Sequence, residues 1–594
     1  MLFGKHINRY YWRCLPSILG GIAALFAVDY LQLLIPKFYN MVITGLNGDP
    51  IEYRGVETVF DLDFVILKIC IPMILVVMGM VLGRFLWRIF LFGTGIRVEC
   101  DLRDRMFDNC RRLSNNYYHK NKVGDLMALF TNDLETVQEC FGMGIMMFFD
   151  AVLLGGLSII EMAKKDPLLT LLALIPMALL MASGAVVSKY MMKKWDERQE
   201  AFSKLSDFSQ ESFSGIAVIK AFVKEGHELW EFKKLNKLNE EKNVSYAKMS
   251  TLFRILVTLF VESVICVILG YGGYLVHTGA FSVGDLFEFI GYFTAIVWPI
   301  MAVSELIDMI SRGNASLKRI SELLDEVPEI SDREGVIDVT DIKGRIEFRD
   351  LTFKYETKDF NVLDGVSFTI EAGENVGIIG KTGSGKTSIV DLILRMYNVE
   401  DGKIFIDGYD INSISMRSLR DAAAYVPQDN FLFSDTIENN IGFAFDTSID
   451  EEMVQKAAIL SDVHDNIIEF KDQYKTVLGE RGVTVSGGQK QRISIARALI
   501  KDAPILILDD SVSAVDVKTE KKILQNLREE RAGKTTILIA HRVSTIKDMD
   551  KIIYIEEGRV IGVGDHDSLY KTCAEYRRSV DLQKLEDEED GKNA

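Results

Sequence analysis

Apolar residues fall into long unbroken runs in the first half of the chain and into short runs in the second. Six of the long runs can each cross a bilayer, which takes about 20 residues of helix. They cover 15–43, 64–92, 141–162, 168–187, 251–276 and 286–310. The connections after the second and fourth runs are long, polar and rich in Lys and Arg: "RVECDLRDRMFDNCRRL" and "KYMMKKWDERQ". The first outer loop, "TGLNGDPIEYRGVETVFDLD", is acidic. This asymmetry places both termini in the cytoplasm. Only the short connection "AKKDP" runs against it, with two lysines. Ahead of the first run, "FGKHINRYYWR" predicts an interfacial (elbow) helix over 1–14. The first run is too long for a signal-peptide core and lacks a small-residue cleavage pattern. Polar helical sequence extends the spans into the cytoplasm, where each pair turns: at 117–127 around Gly124, and at 208–218 around Gly215.

From 345 the period changes. Short β-rich runs ("RIEFRDLTFKY", "ENVGIIG", "AAAYVPQ", "PILILDD", "TTILIAH", "KIIYIEEGRV") alternate with helical ones. That alternation predicts an α/β domain with a largely parallel sheet over 345–580. A charged linker is expected at 311–344 and a disordered acidic tail at 581–594.

Composition narrows the class. Of 594 residues, 48% are hydrophobic and 26% charged, which suits a chain half in lipid and half in water. The net charge of −17 argues against a nucleic-acid partner, which selects a basic surface. The cysteines, Cys14, Cys70, Cys100, Cys110, Cys140, Cys266 and Cys573, show no metal-ligand spacing. They read as reduced packing residues.

The chemistry begins at "GIIGKTGSGKTS". Residues 380–387 spell G-x-x-x-x-G-K-T between an apolar strand and a helix, the context this phosphate loop requires. Glycines Gly380, Gly383 and Gly385 let backbone N–H groups, with those of Lys381, Thr382, Ser384 and Ser388, approach phosphate oxygens. The helix N-terminus adds positive potential. Lys386 reaches the β- and γ-phosphates of ATP, and Thr387 is a Mg²⁺ ligand. Asp509 ends the buried strand "ILILD", where a carboxylate can hold the same Mg²⁺. The fold class is therefore an α-helical six-span membrane domain followed by an α/β P-loop ATPase domain.

The run "VSGGQKQR" at 485–492, downstream of that loop, resembles the signature of ABC transporter ATPases. Other marks of the family follow in order, and six spans before one such domain is its half-exporter layout. The resemblance implies that Tyr355 stacks on adenine and that Gln428 senses Mg²⁺ and water. It also implies that Asp516 closes the D-loop, His541 is the switch histidine, and "GERG" at 479–482 is the exporter-specific loop. Two such domains meet head to tail in the family, so Ser486, Gly487, Gly488 and Gln489 are expected to serve ATP held by a partner.

Asp510 departs from the family, which places a glutamate after the magnesium aspartate to polarise the attacking water. Aspartate is one methylene shorter, a retreat of roughly 1.5 Å, and a misplacement of 1 Å can cost on the order of 100-fold. The expectation is a slow site, and a second, non-identical half-transporter that carries the glutamate. By resemblance the pair exports amphiphilic small molecules, multidrug-fashion, across a bacterial plasma membrane. The alternatives are a homodimeric exporter of lipid or peptide, and an ATP-gated channel or regulatory subunit. Four acids, Asp29, Asp150, Glu161 and Glu262, fall within or near the ends of spans. Such acids face protein or a watery cavity; one reading is a cavity for cationic amphiphiles, the other hydrogen bonds between helices or pairing with Arg84 or Arg88.

Overall fold

The structure, a computed structural model, describes the backbone of residues 3–48, 51–53, 56–58, 60–356, 358–445, 450–479 and 482–593, and their side chains apart from 52–58, 181–186, 188, 189, 304 and 586–593. The chain divides into two units. One comprises Met1–Arg111 with Val123–Glu326, the other Arg112–Lys122 with Val327–Ala594.

The first unit is helical. Among the described residues, five helices are long and apolar enough to span a membrane: Leu15–Leu46, Leu62–Cys110, Val123–Lys165, Glu225–His277 and Val283–Asp325. The remaining expected span, 168–187, lies on the helix Pro167–Ser214, partly outside the described side chains. Local chemistry sets the boundaries. Pro167 opens its helix at a position that needs no N–H donor, and Asp166 caps it by accepting from Leu169 N at 2.6 Å. Ser282 and Asp285 form a reciprocal capping box at the start of Val283–Asp325. Leu154, Met162, Leu169, Ile268, Phe289 and Phe293 pack into a common core, while Leu75, Phe85, Leu171 and Leu259 stay exposed, as lipid-facing side chains do.

Three expectations change here. The two lysines of "AKKDP" are neutralised: Lys164 pairs with Glu161 at 2.7 Å, and Lys165 with Asp285 at 2.5 Å and Glu288 at 2.8 Å. The linker expected from 311 begins only after Asp325, because Ser316 and Arg319 both bond Asp133 at 2.7 Å and hold the helix in place. The span acids do not share one environment. Asp29 and Asp150 are buried, with Trp298 Nε1 donating to Asp150 at 3.0 Å. Glu161 also pairs with Lys37 at 3.1 Å, and Glu262 is exposed. Arg84 exerts a charge attraction on both Asp29 and Asp150; among the described residues Arg88 makes no ion pair with any of the four.

The second unit is α/β. A six-stranded sheet runs Arg559–Gly564, Lys551–Glu556, Asn375–Gly380, Thr535–Ala540, Ile505–Asp509 and Ala423–Val426. Every neighbouring pair is parallel except the first. Strand Ile505–Asp509 is buried at all five positions, as an interior parallel strand covered on both faces should be. A four-stranded antiparallel sheet, Leu363–Ile370, Ile346–Phe353, Ile404–Ile406 and Tyr409–Asp410, forms a second layer. The register pairs Ile379 with Ala540, and Asp509 with Ile539. The phosphate loop, Asp509 and His541 thereby leave the sheet at the same carboxyl edge, where open α/β sheets bind ligands. The expected disordered tail is instead the continuation of a helix, Ala574–Asn593, whose Tyr576 and Val580 are seated in the core.

Candidate functional site

The phosphate loop is shaped by its glycines. Gly383 and Gly385 take φ of 83° and 98°, a left-handed region that favours glycine. A Cβ on Gly380 would lie 2.0 Å from the Ile555 carbonyl oxygen. The chain can therefore turn tightly there only without side chains. Lys386 begins the helix Lys386–Ile393 and is buried. Its Nζ donates to the carbonyls of Gly380 at 2.8 Å and Lys381 at 3.0 Å. The ammonium thus sits in the loop that would receive phosphate. Burial lowers its pKa, against the pull of Asp509 and Asp510.

Asp509 is the point of convergence. It is 2% exposed, and its Oδ2 has no hydrogen-bond partner among the described residues. Burial raises its pKa, Thr387 bonds it, Asp510 repels it, and Lys386 and His541 attract it. A buried carboxylate oxygen without a partner is costly, and a hydroxyl beside it completes the oxygen donor set a hard cation prefers. Ser384 Oγ is likewise buried and without a partner. Both orphaned atoms fit a site built for a cation and phosphate.

Asp510 follows with φ 46°, where aspartate is among the commoner residues after glycine. Its N–H donates to the Ile539 carbonyl at 3.0 Å. Local backbone geometry therefore accepts the short acid well. The signature helix Gly487–Leu499 starts at Ser486, which is exposed. Ser486 Oγ accepts from Gln489 N at 3.2 Å, and Gln489 Oε1 accepts from Ser486 N at 2.9 Å. A Cβ on Gly487 would meet nothing within 4 Å, so the helix tip is open.

The other expected site residues are bonded within the unit or exposed. Tyr355 does not stand free: its hydroxyl lies 2.8 Å from Ser388 Oγ, and its ring meets Phe353 and Tyr397 edge-on. Asp516 caps the helix Val517–Glu530, accepting from Lys518 N and Thr519 N at 3.1 and 3.0 Å, which lowers its pKa. Gln428 is exposed, and among the described residues its side chain bonds neither Asp509 nor Thr387. Of the "GERG" loop, Glu480 and Arg481 lie outside the described residues. Two residues escape the motif reading. Gln491 accepts from Ala514 N at 3.0 Å and ties the signature helix to the strand's exit loop. Asp391, 3.5 Å from the Tyr355 hydroxyl, has its pKa pushed up to about 6, first by burial and then by Asp509. Gln491 lies inside the quoted signature; only its spacing to the exit loop was silent.

Comparison with known proteins agrees with this geometry. Residues 18–300 match the ABC transporter transmembrane region, and residues 363–513 match the ABC transporter family. The probable multidrug resistance ABC transporter ATP-binding/permease protein YheI of Bacillus subtilis is 34% identical, with 96% of each chain covered. The multidrug resistance-like ATP-binding protein MdlA of Escherichia coli is 33% identical over 98% of this chain and 96% of its own. An ATP-dependent lipid A-core flippase of Syntrophus aciditrophicus is 34% identical over 88% of this chain and 87% of its own. A bacterial Atm1-family ABC exporter, solved with ATP bound, superposes with a TM-score of 0.74 at 25% identity, covering 97% of this chain and 99% of that one. The chain belongs to the ABC transporters, as an exporter-type protein whose membrane region and transport-coupled ATP hydrolase share one polypeptide.

Proposed function

We propose that this chain is one half of a heterodimeric exporter of amphiphilic compounds, and that its own ATP site is slow. The reading rests above all on Asp510. Thr387, Lys386 and Asp509 converge as a hydrolytic site requires, yet the side chain that should aim water is one methylene short. Thr387 and Asp509 would hold Mg²⁺, which supplies charge neutralisation between phosphate oxygens. Lys386 binds phosphate, and the phosphate-loop N–H groups orient it. Ser486 and Gly487, exposed at a capped helix tip, are suited to ATP held by another chain. That other chain carries the glutamate, so the fast site pairs its phosphate loop with this chain's signature. Both termini and the ATPase domain face the cytoplasm. The similarity to multidrug-type proteins of Bacillus subtilis and Escherichia coli supports the substrate class.

The test is copurification of the tagged chain with its native partner, followed by ATPase assays. Asp510→Ala is expected to change turnover of the complex little, Asp510→Glu to raise it, and Ser486→Ala to abolish it. Complete loss of hydrolysis in Asp510→Ala would overturn the division of labour. Rapid hydrolysis by this chain as a homodimer would overturn the heterodimer.

A further inference from the structure

The C-terminal helix Ala574–Asn593 reaches the switch histidine through one side chain. Tyr576 and Val580 are buried in the same core as Ala540 and Val543, with the Tyr576 ring edge-on to Tyr554. Gln583 follows at the spacing that keeps all three on one helix face. Its amide is used at both ends. Nε2 donates to the His541 carbonyl at 2.8 Å, and Oε1 accepts from Val543 N at 2.7 Å. The two bonded groups flank Arg542. The short helix Val543–Ile546 has no side-chain cap from its own N-terminus, so Gln583 supplies the acceptor that a helix start lacks. His541 in turn follows the strand Thr535–Ala540, whose Ile539 is the sheet partner of Asp509.

We propose that Gln583 is a positioning residue for His541, making turnover at this site depend on the last helix of the chain. The proposal rests on the reading that His541 serves the ATP site. The two peptide groups on either side of Arg542 are each tied to the same side-chain amide, which restrains the turn, so the imidazole keeps its aim at the carboxyl edge of the sheet. Released, the loop can drift by the ångström that matters in catalysis. Among the described residues Gln583 bonds only His541 and Val543, neither in the phosphate loop nor in the signature, so its removal is expected to leave nucleotide binding intact.

The test uses the full-length chain in its native complex, with Gln583→Met, which keeps length but neither bond, and Gln583→Glu, which keeps only the acceptor. Hydrogen exchange should quicken in the segment 541–546 of Gln583→Met and leave strand Thr535–Ala540 unchanged; Gln583→Glu should keep the Val543 amide protected. Turnover is read in the wild-type and Asp510→Glu backgrounds, in whichever hydrolyses faster at this site. Gln583→Met should lower the part of kcat that this site contributes, read as the increment Asp510→Glu adds, about tenfold and leave KM for ATP within about twofold. Gln583→Glu should fall between Gln583→Met and the parent. Unchanged exchange, unchanged kcat, or a joint shift of kcat, KM and melting temperature would overturn the proposal. If Asp510→Glu fails to raise turnover, the slow-site reading falls, while the exchange data and wild-type kcat still decide the role of Gln583.

Discussion

The two cytoplasmic turns of the membrane helices have opposite fates. Helix Asn115–Lys120, in the first turn, counts with the ATPase unit of its own chain. Asn116 is 6% exposed and donates to Glu329 at 3.1 Å and Glu356 at 3.3 Å. Ser114 bonds Glu329 at 3.1 Å, and Lys120 pairs with Glu356. Helix Ile216–Ala221, in the second turn, buries no residue at all. Around it Phe213, Val218, Phe222 and Val223 are exposed, beside an apolar hollow lined by Phe208, Ile219, Leu229 and Phe232. The first turn is polar and satisfied within its chain. The second is apolar and open, and exposed apolar patches of this kind mark protein–protein contacts. The difference teaches that an open apolar turn is the kind of surface the partner proposed above would cover.

The largest expected effect breaks the second turn. Phe213→Asp with Ile216→Asp removes two apolar anchors, each worth about 2 kcal/mol at an interface centre. Partner affinity and coupled ATPase activity should fall roughly 100-fold or more, with the chain's melting temperature unchanged. Unaltered copurification would show that this patch touches no partner.

A second variant changes the ATPase unit and leaves both turns intact. An unfolded aspartate titrates near 4, whereas burial and Asp509 push folded Asp391 up to about 6. Between those values the folded state binds more protons, so stability falls as pH rises from about 4 to about 6, and stays at the lower level above. Asp391→Asn should therefore stabilise the nucleotide- and cation-free protein by about 2 kcal/mol at pH 8 and flatten this part of the profile in thermal melts.

Smaller effects are expected at the first turn. Asn116→Ala removes a buried amide that donates to two exposed carboxylates, Glu329 and Glu356, and should cost about 1 kcal/mol in unfolding of the ATPase unit. Lys120→Ala removes an exposed ion pair with Glu356 and should cost less than Asn116→Ala, less still at high salt. Should Lys120→Ala exceed Asn116→Ala in denaturant titrations, the first turn is held by charge and not by its buried amide.

Local patterns were legible in the sequence where the physics is local. A phosphate loop announces itself because its glycines, lysine and threonine are consecutive, and "ILILD" because a strand buried on both faces needs no alternation. What misled was compensation from afar. Lys165 looked like a breach of charge asymmetry until Asp285 and Glu288, far along the chain, came beside it, whereas the partner of Lys164, Glu161, is local. Residues 311–325 looked like a linker because the anchor, Asp133, lies far back in the chain. The acidic tail hid a helix, since composition outweighed the spacing of Tyr576, Val580 and Gln583. Tyr355, Gln428 and Asp516 were marked by family pattern alone, and their side chains here point to Ser388, to the surface and to a helix cap.

Ser486 already spends one oxygen lone pair on Gln489 N, and among the described residues its hydroxyl hydrogen donates to nothing. A phosphate arriving from outside would find that tip finished, with no loop to order and no cap to surrender. Joining two such bodies would then be limited by how they swing together, a matter of hinges and viscosity.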